Sequence, residues 1–306
     1  MAVPLRSARL AIPALLIANF ALALGPWLVR LARTQSEVGP IAAGFWRLTL
    51  ALPILFLAAR RMERTRFRFD RAEAVIAIGG LAFAADLATW HIGILHTRLA
   101  NATLFGNITA VLFPIYGFLI ARSWPMPRQW LALGGAAVGV ALLLGRSFTL
   151  SAEHVWGDLA CIFAGLCYTV YLIALDRVRG AVAPVSTLFL SALSGVPLLL
   201  IAALAMGEPM IPRDWTPLVA LAIGSQIIGQ GLIIYAVSRV PPIVIGLMLL
   251  VQPIVSATIG WLAYRERLTL ADAIGAVAIV AAVVLVRDSR RTPPLPAPEP
   301  ALERAA

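Results

Sequence analysis

Few side chains in this chain can do chemistry, and most of them fall inside long apolar runs. Asp86, Trp90 and His91 lie close together, and the four-residue spacing of Asp86 and Trp90 puts them on one helical face. An acid beside an indole suits an organic amine. The acid can also exchange a proton, with His91 as a relay. The bland alternatives are a buried acid paired with Arg47 or capped by helix hydroxyls, and a histidine that only packs. Arg47 is the one arginine deep in an apolar run. It either contacts an anionic group or forms a structural pair, with Glu37 and Asp86 as candidate partners. Thr103, Asn107 and Pro114 share a face at spacings of four and seven, and Asn107 is central enough to hydrogen-bond a solute. Gln226 and Gln230 repeat the four-residue spacing beside Gly229 and Gly231, and Gln252 precedes Pro253. These amides either line a path or bridge helices. Tyr168, Tyr171 and Asn19 complete a set that could surround an organic solute, although tyrosines at this spacing also serve as packing.

The elements that must hold these groups follow from composition. Of 306 residues, 60% are hydrophobic and 13% are charged, with a mean hydropathy of +0.89. A soluble domain is about half apolar and a quarter charged. The chain therefore reads as a polytopic membrane protein, not a soluble enzyme, a nucleic-acid-binding domain or a disordered chain. A helix needs about 20 apolar residues to cross the ~30 Å hydrocarbon core. Ten stretches qualify: 10–29, 40–59, 74–95, 99–121, 128–145, 155–175, 184–206, 216–237, 242–263 and 270–287. They are too long and too continuously apolar for the strands of an outer-membrane barrel.

The net charge of +10 comes from 25 basic residues, all arginine, against 15 acidic ones. With a cytoplasmic N-terminus, 17 arginines fall in inner segments, 7 in outer ones, and Arg47 lies within a span. Excess basic residues mark cytoplasmic loops, so both termini are expected inside an inner (cytoplasmic) membrane. Cys161 and Cys167 sit on one predicted helix about 9 Å apart along its axis, beyond disulfide reach. The proline-rich residues 288–306 read as a disordered cytoplasmic tail.

The two halves resemble each other. Pro114 and Pro253 fall in the fourth and ninth spans, where each is expected to bend its helix. Gly134, Ala141, Leu144 and Arg146 correspond to Gly275, Ala282, Leu285 and Arg287, and Gly39-Pro40 corresponds to Ala183-Pro184. Five spans per half is odd, so the second half enters the membrane in the opposite sense. Inverted repeats of this kind recur in secondary transporters. The expected architecture is an all-α polytopic protein of ten transmembrane helices in two inverted five-helix repeats, 1–150 and 151–287.

These motifs together resemble the drug/metabolite transporter superfamily, in particular its EamA-type ten-helix members, over residues 10–287. Gly39-Pro40 through Phe45-Trp46-Arg47 looks like the family's second span. Asp86 through His91, then Thr97 to Asn107, resembles its third and fourth. Gly157-Asp158 is similar to the opening of span six, and Gly229-Gln230-Gly231, Gln252-Pro253 and Arg265-Glu266-Arg267 resemble spans eight to ten. The chain lacks the glutamate usual after span four, where Arg122-Ser-Trp-Pro-Met stands. The resemblance implies export of a small organic solute (an amino acid, amine or drug-like molecule) by alternating access. It implies no cofactor, metal or nucleic acid, membrane lipid as surroundings, and a monomer or weak homodimer. A channel and a membrane enzyme are the alternatives. The chain has no filter-like loop, no Gly-x-Ser-x-Gly elbow and no His-Glu-x-x-His.

Overall fold

A long apolar run in lipid has no water for its backbone, so it must satisfy its own N–H and C=O groups as a helix. The computed structural model describes residues 10–65, 67, 70–97, 99–144, 152–264 and 269–287. These form ten helical segments. We label them α1 (Ala11–Ser36), α2 (Pro40–Met62), α3 (Arg71–His96), α4 (99–121), α5 (Pro127–Leu144), α6 (Val155–Arg177), α7 (Pro184–Ala205), α8 (Thr216–Val237), α9 (242–264) and α10 (Leu270–Arg287). Seven of them are long and apolar enough to cross a membrane. Outward-facing positions carry Phe20, Leu119, Ile201 and Val277, each more than half exposed, as a lipid-facing surface requires. The tail 288–306, the Arg265-Glu266-Arg267 turn, Arg98 and Arg146 lie outside the described residues.

The ten expected spans match these segments, with one long extension. α1 runs on past residue 29 to Ser36, ending in a π-helical turn, and Glu37 then takes a left-handed φ of 58°. Three segments are interrupted. α1 is broken at Leu24, just before Gly25-Pro26, α4 at Asn107-Ile108, and α9 at Leu250. The two prolines sit close to two of these breaks. Pro114 lies inside the second piece of α4, and Pro253 lies in the first turn of the second piece of α9. Pro253 has no N–H to offer the turn before it, and the break at Leu250 falls in that turn.

The two halves pack across each other. α3 lies along α6 and α1 along α8, while α2 meets α7, α4 meets α9, and α5 meets α10. A two-fold relation that exchanges α1–α5 with α6–α10 generates this set of pairings. Small residues permit the approach. A Cβ on Gly157 would stand 2.6 Å from the main-chain carbon and oxygen of His96. Gly139 and Gly275 face each other so closely that a Cβ on either would meet the other's carbonyl oxygen at 2.7 and 2.6 Å.

The α2–α7 pair is clasped at both ends. Each helix starts with a proline, Pro40 or Pro184, and each start receives a carboxylate from just beyond its partner's end. Glu63, after α2, accepts from Val185 N (2.9 Å), Ser186 N (2.8 Å) and Ser186 Oγ (2.7 Å). Glu208, after α7, accepts from Ile41 N (3.3 Å) and Ala42 N (2.8 Å). Gly39 makes room for that carboxylate, because any Cβ there would collide with it. An anion at a helix N-terminus meets both free N–H groups and a favourable dipole.

Glu63→Ala and Glu208→Ala should each cost about 0.5–2 kcal/mol, as lost caps do. Because the caps sit at opposite ends, the losses should add in the double variant; thermal unfolding in detergent reads both points. Gly157→Val should force α3 and α6 apart and sharply reduce the yield of monodisperse protein in size-exclusion chromatography.

Candidate functional site

Between the halves lies a cavity open to solvent, lined by side chains from α1, α2, α3, α4, α6, α8 and α9. Seven of the sequence-derived candidates line it: Arg47, Asp86, Trp90, Asn107, Tyr168, Gln230 and Gln252. Asp86 is the one carboxylate and Arg47 the one guanidinium among the described lining residues.

Arg47 is 2% exposed. Its Nε donates to Gln226 Oε1 at 3.2 Å, and its guanidinium carbon lies 5.7 Å from the centre of the Phe83 ring. Among the described residues it forms an ion pair with neither candidate partner, Glu37 or Asp86. Glu37 instead pairs with Arg213 at 2.9 Å on the surface. A second ion pair joins Arg179 to Asp176, and Asp86 and Arg47 share a cavity without forming an ion pair. A membrane-embedded charge normally finds a partner or faces a water-filled space. These two have the space.

Four candidates stand behind the cavity wall instead of on it. Gln226, fully buried, serves as the acceptor that holds Arg47. Tyr171 stacks on Phe83 at 4.7 Å between ring centres, with its hydroxyl 3.4 Å from Ser191 Oγ, so it backs the ring that faces Arg47. Asn19 accepts from Gln252 Nε2 at 2.9 Å and so positions a lining amide from behind. His91 Nδ1 is 2.9 Å from the Pro40 carbonyl, to which it must donate, linking α3 to the start of α2. That contact turns the ring away from the cavity. In each case the side chain has its expected helix, but neighbouring helices take up its face.

Local backbone explains the lining. Gln226 and Gln230 both belong to a ten-residue π-helical stretch, Leu221–Gln230. Such stretches are rare and concentrate at functional sites. Gln230 reaches the cavity and accepts from the Tyr168 hydroxyl at 3.1 Å. Asn107 sits on the break in α4 and Gln252 just after the break in α9. The missing side chain of Gly106 admits Trp90, because a Cβ there would lie 2.9 Å from the indole Nε1.

Several lining residues escaped the sequence reading: Leu22, Ala23 and Pro26 of α1, Phe83 and Leu87 of α3, and Gly106. Phe83 was readable, since it precedes Asp86 by three and Trp90 by seven, on the same face. Gly25-Pro26 within an apolar run was likewise a readable break. Among the described residues no group of three or more His, Cys, Asp or Glu could hold a metal ion.

Comparison with known proteins places this geometry. The threonine/homoserine exporter RhtA of Escherichia coli (strain K12) is 26% identical over 250 residues, covering 79% of this chain and 80% of the exporter. The same exporter of Salmonella typhimurium (strain LT2) matches at 26% over the same shares. An uncharacterized transporter of Archaeoglobus fulgidus is 21% identical over 262 residues, 81% of this chain and 88% of that one. A solved crystal structure superposes with a TM-score of 0.72 at 20% identity, over 90% of this chain and 98% of the other, which shows a shared fold. The EamA-like transporter family matches the chain twice, at residues 9–145 and 155–287. The chain belongs to the EamA-like transporter family, as an all-helical polytopic membrane protein.

Proposed function

We propose that the protein exports a small zwitterionic amino acid from the cytoplasm, binding it between Arg47 and Asp86. The carrying observation is the pair of opposite charges lining one cavity without forming an ion pair. An amino acid brings one carboxylate and one ammonium. Arg47, held by Gln226 at Nε, offers its terminal nitrogens to the carboxylate, and Asp86 accepts from the ammonium. Trp90 and Tyr168 supply an apolar wall. The E. coli and S. typhimurium relatives that export threonine and homoserine support an amino acid over a drug-like molecule.

Transport proceeds by alternating access. The halves, 1–150 and 151–287, are inverted repeats that rock about the cavity, a reading favoured by the double family match and the two-fold helix pairing. The protein resides in the inner membrane with both termini cytoplasmic, in line with the arginine distribution. It works as a monomer or weak homodimer, and the solute is its partner, with no chemical conversion. Protons compete with the solute ammonium for Asp86, so an inward proton gradient drives the solute outward.

In proteoliposomes, Arg47→Gln and Asp86→Asn should each raise the half-saturating solute concentration for counterflow about ten- to a hundredfold, the loss of one charge-assisted hydrogen bond. Wild-type saturation in both folded variants would discard the site. An imposed pH gradient should accelerate net flux through the wild-type protein; flux indifferent to the gradient would remove proton coupling and leave the carrier intact.

A further inference from the structure

The orientation of three amides in and behind the cavity follows from their partners. Asn19 places Nδ2 2.7 Å from the Leu15 main-chain oxygen. A carbonyl only accepts, so the atom facing it is the nitrogen. Asn19 Oδ1 is thereby turned to Gln252, 2.9 Å away, and an oxygen there requires Gln252 to present Nε2. Gln252 Oε1 is left over. The same reasoning fixes Asn107, whose Nδ2 donates to the Thr103 main-chain oxygen at 2.9 Å. Asn107 Oδ1 is also left over. Neither oxygen has a hydrogen-bond donor among the described residues, and both side chains line the cavity.

We infer that Asn107 and Gln252 form an acceptor pair that selects a hydroxyl on the solute's side chain, so the transported amino acid is a small hydroxylated one. The inference rests on the zwitterion reading, in which Arg47 and Asp86 engage the carboxylate and the ammonium. The two amide oxygens then remain for the side chain. A second ammonium would also donate to them, but Asp86 is the only carboxylate among the described lining residues and is already engaged. A second cation would be buried without a counter-charge, which is costly. A hydroxyl supplies the donor without the charge. An apolar side chain of equal size would leave both oxygens dry and unpaired. A site built to bond a hydroxyl discriminates strongly against the analogue that lacks it.

Isosteric pairs test this without any variant: threonine against valine, and serine against alanine, each as competitor in counterflow through the full-length protein in liposomes. Threonine and serine should compete at concentrations at least about tenfold lower than valine and alanine. The Asn107→Leu, Gln252→Met double variant should erase or invert that ratio, with threonine losing and valine gaining. Equal competition by both members of each pair in the wild type overturns the inference and leaves the amino-acid reading standing. Absence of competition by all four amino acids overturns both. A ratio unchanged in a monodisperse double variant overturns the assignment to these two residues.

Discussion

A charge in a low-dielectric bundle needs a partner or water, and that requirement governs the arrangement of this protein. Arg47 and Asp86 could cancel each other if their helices let them meet. They form no ion pair, and Arg47 is held by its own neighbours. Gln226 and Phe83 engage Arg47 from α8 and α3, and Tyr171 supports Phe83 from behind. The pair is thus kept open around a cavity. Keeping two charges apart inside a membrane forgoes stability, and such residues usually mark a solute or ion path. The proposed zwitterion would supply the missing counter-charges in one step.

Holding the charges apart demands rigid surroundings. The close approaches of α3 to α6 and of α5 to α10 come from glycines where a single methyl would meet backbone. The clasp between α2 and α7 adds fixed electrostatics, with a carboxylate at each end seated on the other helix's N-terminus. Both clasps connect one half of the molecule to the other. Under the proposed alternating access, α2 and α7 would move as one strut.

Irregular backbone, by contrast, borders the cavity. The breaks in α1, α4 and α9 and the π-helical stretch of α8 all border it. Each break releases backbone groups from the helical ladder and turns a side chain off its regular face. Asn107 lies on such a break and Gln252 just after one, and both line the cavity. Irregular backbone at membrane depth is tolerated where it lines a cavity, not where it meets lipid.

The sequence by itself determined the helices, because twenty apolar residues in lipid have one way to satisfy their backbone. It also carried the ten-span count, the repeat and the family membership, all of which are properties of local pattern. Seven candidate polar residues reach the cavity for the same reason: a polar group in an apolar run must face inward. Which of the inward-facing groups touch the cavity was decided only by tertiary packing. Asn19, Tyr171, Gln226 and His91 obey the same sequence rule as Asp86, yet neighbours from distant segments engage them first. The Glu63 and Glu208 clasps were hidden for a related reason, since each joins residues more than 120 positions apart. Periodicity specifies a face of one helix, whereas the partner of that face depends on where the other nine helices lie.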